Sequence, residues 1–104
     1  MYKQITHTEF EKLKQQQTVA VVDVRDEQSF QDAHIPDAIH LTMDALQNFV
    51  ETADKRTPVL VYCYHGVTSQ SVAQLLVESS FECVYSLIGG FECWQNDQTK
   101  SQRG

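Results

Sequence analysis

The chain has 104 residues, which is enough for one compact domain and too few for two. Hydrophobic residues make up 41% and charged residues 21%, a balance that favours a packed core over disorder. The net charge of -6 argues against a nucleic-acid partner, and it means that any site for a small anion must be built locally. Because the N-terminus lacks a signal peptide and no apolar run approaches the roughly 18 residues of a spanning helix, we expect a cytoplasmic protein without a membrane partner.

The predicted elements alternate between helices and strands. The apolar runs 19–22 and 59–62 lack the alternation of a half-exposed strand, so they indicate strands buried on both faces of a parallel sheet. In the first half of the chain we predict a helix with a capping box of Thr8 and Glu11, a strand at 19–22, a helix at 26–32, a turn at 35–37 and a strand at 38–41. In the second half we predict a helix capped by Thr42, a strand at 59–62, a helix opened by Thr68 or Ser69, a strand at 83–87 and a helix at 91–96. This order predicts a single α/β domain over residues 1–97, with a mostly parallel sheet and helices on both faces, and a frayed polar tail at 98–104.

The three cysteines, Cys63, Cys83 and Cys93, form no Cys-x-x-Cys pair. Their small, odd number fits neither a disulfide framework nor a zinc site, and it suits a reducing compartment. We interpret Cys83, within a predicted strand, and Cys93, beside Trp94 in a predicted helix, as packing residues. Cys63 has the context of a reactive thiol.

Cys63 directly follows a buried strand and precedes a loop and a helix, a position where open α/β sheets place their ligands. Gly66, at the centre of the loop, can adopt a positive φ that turns successive backbone N–H groups inward. The start of the next helix adds further unsatisfied N–H groups. These donors predict a lowered pKa for the Cys63 thiol and therefore a nucleophilic thiolate.

Three segments resemble signatures of the rhodanese family and occur in the family's order. Residues 63–68, Cys-Tyr-His-Gly-Val-Thr, are similar to the active loop of thiosulfate rhodaneses. Residues 22–26, followed by Phe30 and by 34–36, resemble the N-terminal signature, and residues 89–94 resemble the C-terminal one. Together they cover residues 19–94, and the length of the chain is similar to that of single-domain bacterial thiosulfate sulfurtransferases.

The resemblance implies a two-step transfer in which Cys63 takes the outer sulfur of thiosulfate, holds it as a persulfide and passes it to cyanide, a dithiol or a thioredoxin-like protein. It implies no metal and no organic cofactor. It also implies that the substrate is bound by the residues that follow the cysteine, which are Tyr64, His65, Gly66, Val67, Thr68 and Ser69.

The loop departs from the two-domain thiosulfate enzymes, which have basic residues just after the cysteine. Tyr64 and His65 stand there in this chain, so we predict weak binding of the thiosulfate dianion. A rhodanese-fold phosphatase is the main alternative enzyme, but it needs an arginine six residues after the cysteine, where this chain has Ser69. A non-catalytic rhodanese-like binding module is a further alternative, although such modules commonly lose the cysteine.

Other polar residues have structural interpretations. Arg25 is expected to pair with neighbouring carboxylates, and His34 to stabilise a turn. The acidic residues Asp23, Asp26 and Glu27 are expected to form a solvated loop rather than a metal site. Phe91 and Trp94 are expected to anchor the last helix in the core.

Overall fold

The computed structural model describes the backbone of residues 1–103 and the side chains of residues 1–97; Gly104 lies outside the described residues. The described chain alternates strands and helices from its first residues. Its elements are β1 (Lys3–Ile5), α1 (His7–Gln16), β2 (Ala20–Asp23), α2 (Glu27–Asp32), β3 (Ile39–His40), α3 (Met43–Thr52), β4 (Val59–Tyr62), α4 (Thr68–Glu78), β5 (Val84–Leu87) and α5 (Gly90–Arg103).

The five strands form one sheet in the order β1-β5-β4-β2-β3, and every neighbouring pair is parallel. The predicted parallel α/β sheet is therefore confirmed. Strand β4 is central and all four of its residues are buried. Its side chains alternate between the faces: Leu60 and Tyr62 join one core cluster, whereas Val59 and Val61 join the other.

Helices cover both faces of the sheet, as predicted. Phe10 of α1 and Phe91 of α5 pack in the cluster that contains Tyr62. Leu46 of α3 and Leu76 of α4 pack in the opposite cluster. Because parallel strands all end at the same edge, this arrangement collects the loops after β2, β4 and β5 at one side of the molecule.

One strand was not predicted, and two predicted element ends are wrong. Strand β1 was not predicted, because only Ile5 among its three residues is buried and a single apolar residue gives no pattern. Its end at Ile5 sets the start of α1, so the capping box is formed by Thr6 and Glu9 instead of Thr8 and Glu11. Helix α5 continues to Arg103 instead of ending at Asn96, and the division of the chain at residue 97 stays a prediction.

The structure also tests the predicted ends of β5, α4 and α3. Cys83 precedes β5 and lies in a bend instead of a strand. Helix α4 begins at Thr68, which confirms the predicted start of this helix, and its N-cap residue Val67 provides no side-chain cap. The predicted Thr42 cap of α3 is confirmed, since its hydroxyl accepts the N–H of Ala45.

Candidate active site

Cys63 lies at the carboxyl end of the central strand β4. Strands β2 and β5 flank β4 on its two sides, and only 6% of Cys63 is exposed. The sulfur is therefore largely withdrawn from solvent, and its charge state depends on the groups that contact it. Those groups come from the loop that follows and from the first turn of α4.

Two backbone N–H groups point at the Cys63 sulfur. The N–H of Gly66 donates to Sγ at 3.1 Å, and the N–H of Ser69 donates to it at 3.3 Å. Gly66 has φ of +89°, which confirms the predicted left-handed turn. Since the sulfur accepts the N–H of Ser69 in the first turn of α4, it takes the place of the side-chain cap that this helix lacks.

The contacts determine the protonation of the thiol. Burial alone would raise the pKa of Cys63, because desolvation disfavours the thiolate. The side-chain hydroxyl of Ser69 and the backbone N–H groups of Ser69, Gly66 and Val67 act in the opposite direction and outweigh burial. The net effect is a lowered pKa for the Cys63 thiol, as the sequence predicted.

A second hydroxyl supports the first. Ser69 Oγ lies 3.5 Å from the Cys63 sulfur and 2.8 Å from Ser86 Oγ. When Ser69 donates its proton to the thiolate, its oxygen can accept the proton of Ser86. Ser86 was not predicted as part of the site; the available signal was a hydroxyl residue inside the apolar strand β5, where a buried polar group needs a partner.

The start of α5 holds the loop in position from the opposite side. The N–H of Phe91 donates to the Cys63 carbonyl at 2.8 Å, and the N–H of Glu92 donates to the Tyr64 carbonyl at 3.1 Å. With their carbonyls bound in this way, the loop's N–H groups are left to face the sulfur. A Cβ at Gly90 would approach the Cys63 carbonyl oxygen to 2.4 Å, so only glycine permits this contact.

The remaining loop residues form the rim of the site. Tyr64, His65, Val67 and Thr68 are exposed, and Val67 is 71% exposed. The structure therefore brings all six predicted substrate-binding residues around Cys63, with Gly66 and Ser69 inside and the other four outside. Their roles toward a substrate stay predictions.

The histidine at the rim has an acidic partner. His65 Nδ1 lies 2.7 Å from a carboxylate oxygen of Glu92. Any positive charge on His65 is therefore balanced locally, and the residues between Cys63 and Ser69 include no lysine or arginine. The electrostatic attraction available to an anion at this rim comes mainly from backbone N–H groups.

Arg25 is held beside the site by a buried ion pair. Its guanidinium lies 2.7 Å from the Asp23 carboxylate, and both side chains are nearly inaccessible. It also lies over the Phe91 ring at 4.1 Å. The expected pairing of Arg25 is confirmed, whereas the expectation that Asp23 belongs to a solvated loop is wrong, because Asp23 is fully buried.

Two further expectations are confirmed. His34 Nδ1 lies 2.8 Å from the Phe30 carbonyl at the end of α2, next to the turn. Phe91 is buried, and Trp94 packs against the core cluster that contains Phe91.

Among residues 1–97, no group of three or more histidine, cysteine or acidic side chains is arranged to hold a metal ion. Within the same described part of the chain, no helix is both long enough and apolar enough to cross a membrane.

A parallel sheet with a cysteine in a ring of backbone donors at its carboxyl edge defines the class of protein, and comparison with known proteins agrees. The family model of the Rhodanese-like domain matches residues 6–97, and the chain belongs to this family. A crystal structure of a rhodanese-like domain protein from Staphylococcus aureus is similar with a TM-score of 0.78 and 28% identity, over 88% of this chain and 90% of that one.

Curated relatives are more similar in sequence. The thiosulfate sulfurtransferase GlpE of Coxiella burnetii is 57% identical over 95 residues, which cover 91% of this chain and 89% of the relative. The thiosulfate sulfurtransferase GlpE of Vibrio cholerae is 51% identical over 82 residues, which cover 79% and 77% of the two chains.

Proposed function

We propose that this protein is a thiosulfate sulfurtransferase that carries sulfur on Cys63 as a persulfide. The observation that carries the proposal is the pair of N–H groups, from Gly66 and Ser69, that donate to the Cys63 sulfur. The 57% identity to a thiosulfate sulfurtransferase over 91% of the chain supports the choice of substrate.

In the first half-reaction the Cys63 thiolate attacks the outer sulfur of thiosulfate. A new S–S bond forms to Cys63, the S–S bond of thiosulfate breaks, and sulfite leaves with the bonding electron pair. The product is a persulfide whose terminal sulfur carries negative charge. The N–H groups that donate to the thiolate also stabilise the persulfide anion. They therefore lower the barrier to sulfur transfer by stabilising the negative charge on sulfur.

In the second half-reaction a thiophilic acceptor attacks the terminal sulfur. Cyanide would leave as thiocyanate, and a dithiol or a thioredoxin-like protein would take the sulfur as its own persulfide. Cys63 is regenerated as the thiolate with no net change in its oxidation state. Because the two half-reactions share only the persulfide form, the kinetics should be ping-pong.

The rim geometry supports weak binding of thiosulfate before reaction. His65 is paired with Glu92, and Arg25 is paired with Asp23, so neither side chain is free to hold a dianion. The affinity for thiosulfate before reaction is therefore expected to be low, while the donors at the Cys63 sulfur stabilise the negative charge of the reacting sulfur.

We further propose a cytoplasmic location, supported by three unpaired cysteines that suit a reducing compartment.

The proposal is tested by steady-state formation of thiocyanate and sulfite from thiosulfate and cyanide. We expect parallel lines in double-reciprocal plots, and complete loss of turnover in Cys63→Ser with Cys83→Ser as the matched control. Turnover in Cys63→Ser equal to the native rate would refute the proposal. Release of phosphate from an aryl phosphate would support the phosphatase alternative instead.

A further inference from the structure

A second thiol with a histidine and a carboxylate lies outside the site of Cys63. Cys93 Sγ is 3.7 Å from His7 Nδ1. On the other side of the same ring, His7 Nε2 is 3.1 Å from a carboxylate oxygen of Asp97. The sulfur transfer proposed for Cys63 does not involve Cys93, His7 or Asp97.

The fold explains how three residues so distant in sequence meet. Cys93 and Asp97 are four residues apart in α5, so they lie on one face of that helix. His7 is the first residue of α1, which follows β1, and α5 follows β5. Because β1 and β5 are adjacent and parallel, the helices that leave them start side by side.

The two contacts of His7 give its ring nitrogens different tasks. In the neutral ring the Nε2–H group donates a hydrogen bond to the Asp97 carboxylate, which leaves Nδ1 unprotonated. That lone pair faces Cys93 and is placed to take the proton of the thiol. A nucleophile, a base in contact with it and a third group that orients the base form a recognised catalytic arrangement.

Cys93 lies near the start of α5 and faces both His7 and the adjacent cavity. It lies in the first turn of a 14-residue helix, where the helix dipole is positive. A negative charge that develops on the sulfur during its attack is stabilised by the dipole at a helix N-terminus.

A metal ion does not fit this cluster. The thiol and the carboxylate contact opposite nitrogens of the His7 ring, so the ring separates them and they cannot converge on one ion. Consistent with this, the described side chains include no cluster arranged to hold a metal. The geometry suits proton transfer instead.

Space for a reactant is present next to the thiol. A surface cavity of about 300 Å³ is lined by His7, Gly89, Glu92, Cys93, Asn96 and Asp97. This volume is at the lower end of the range of small-molecule sites. Its titratable groups other than the thiol and the imidazole are the two carboxylates of Glu92 and Asp97, which disfavour an anionic reactant such as thiosulfate.

We propose that Cys93 is a second nucleophilic thiol, activated by His7 and Asp97, and that it is modified by small neutral or cationic disulfides. In this exchange the Cys93 sulfur attacks one sulfur of the disulfide as His7 Nδ1 takes the thiol proton. The S–S bond of the reagent breaks, a mixed disulfide forms on Cys93, and the departing thiolate receives the proton. One thiol and one disulfide are consumed and one of each is produced, so no external oxidant is required.

The test uses Cys63→Ser protein, so that its outcome does not depend on sulfur transfer. Cystamine, which is dicationic, is added at neutral pH, and intact mass and peptide mapping follow modification of Cys93 and Cys83. Cys83 is the internal control because it is also partly buried, and its thiol contacts the Tyr85 hydroxyl at 3.0 Å instead of a base. We expect Cys93 to react at least about tenfold faster than Cys83, since a free thiol is only a few per cent ionised at this pH.

Variants of His7 and Asp97 test whether Cys93 reacts because these residues activate its thiol or only because the thiol is exposed. His7→Gln should slow the modification of Cys93 about tenfold at neutral pH, and Asp97→Asn should slow it by a smaller factor. Both deficits should disappear above about pH 9.5, where the thiol ionises without a base. The dianionic disulfide of thioglycolate should modify Cys93 more slowly than cystamine does, because the carboxylates of the cavity repel it. Glu92→Gln removes one of these charges and should reduce the difference between the two rates.

Three results would overturn the proposal. Equal rates at Cys93 and Cys83 would show that the thiol is not activated. A deficit of His7→Gln that persists at high pH would show that His7 acts only on structure. If His7→Gln does not fold, the decision rests on Asp97→Asn, whose carboxylate is 42% exposed, and an unchanged rate in that folded variant would overturn the proposal equally.

Discussion

The hydroxyl oxygens of Ser69 and Ser86 lie 2.8 Å apart, and both side chains are buried. This contact links the first turn of α4 to strand β5 and leaves the Ser69 proton available to the Cys63 sulfur at 3.5 Å. The charge on Cys63 therefore depends on a residue that is not in its loop.

Removing the Ser69 hydroxyl should raise the pKa of Cys63. A hydrogen bond to a charged group is worth about 1.5–3 kcal/mol, so we expect Ser69→Ala to lower the ratio of thiolate to thiol at a given pH about ten- to hundredfold. Ser86→Ala should produce a smaller rise. Iodoacetamide alkylation of Cys63, followed against pH by peptide mapping, measures the midpoint.

The sign of the pH dependence follows from the lowered pKa of Cys63. The thiolate persists in the native protein below the ordinary thiol value, and reactivity is lost only as pH falls through the lowered value. In Ser69→Ala the loss should begin at higher pH. Ser71→Ala, on the exposed side of α4, is the control, and a midpoint for Ser69→Ala equal to that of Ser71→Ala would contradict the expected role of the hydroxyl.

Gly66→Ala should damage both stability and sulfur transfer. The residue has a positive φ, and an added Cβ would approach Gly89 N and Leu87 O to 2.9 Å. Backbone strain of this kind costs about 1–3 kcal/mol. Urea denaturation should show that loss, whereas the exposed neighbour Val67→Ala should change the free energy of unfolding by less than about 0.5 kcal/mol. Equal stability of the two variants would contradict the turn geometry.

Glu92→Gln should lower the KM for thiosulfate. The change removes one negative charge close to the rim and releases His65 from its partner at 2.7 Å. One charge acting on a dianion several ångströms away through water is worth about 1 kcal/mol, so we expect about a fivefold decrease at low salt. The decrease should shrink as ionic strength rises. Glu78→Gln, at the far end of α4, is the control, and the same KM in both variants would exclude an electrostatic role of the rim.

Arg25→Met should destabilise the protein without a specific effect on thiosulfate. The substitution leaves the fully buried Asp23 without its ionic partner, which costs about 3–5 kcal/mol. Arg56→Met, whose side chain is 84% exposed, should cost little. Thermal unfolding measures the difference. A folded Arg25→Met protein with native stability but a raised KM would instead identify Arg25 as a substrate ligand.

The sequence predicted the parts of the site that depend on local order. Cys63 follows an apolar run, and Gly66 occupies the position where a positive φ is needed, so the strand, the loop and the lowered pKa could all be inferred. Those features require only near neighbours in the chain. The resemblance to rhodaneses then supplied the reaction.

Contacts between distant segments could not be read from local patterns. Strand β1 is defined by parallel pairing with β5, which lies about eighty residues further along the chain. Ser86 reaches the site because β5 is adjacent to β4, and His7 meets Cys93 because β1 is adjacent to β5. Strand order decides each of these pairings, and hydrophobic periodicity does not encode it.

The most direct test of the account is the intact mass of the protein after incubation with thiosulfate and removal of the excess. We predict that the native chain gains one sulfur atom, that cyanide removes it, and that Cys63→Ser gains none. Cys93→Ser should gain it as the native chain does. A native chain that gains no sulfur, or a Cys63→Ser variant that gains it equally, would contradict a persulfide on Cys63.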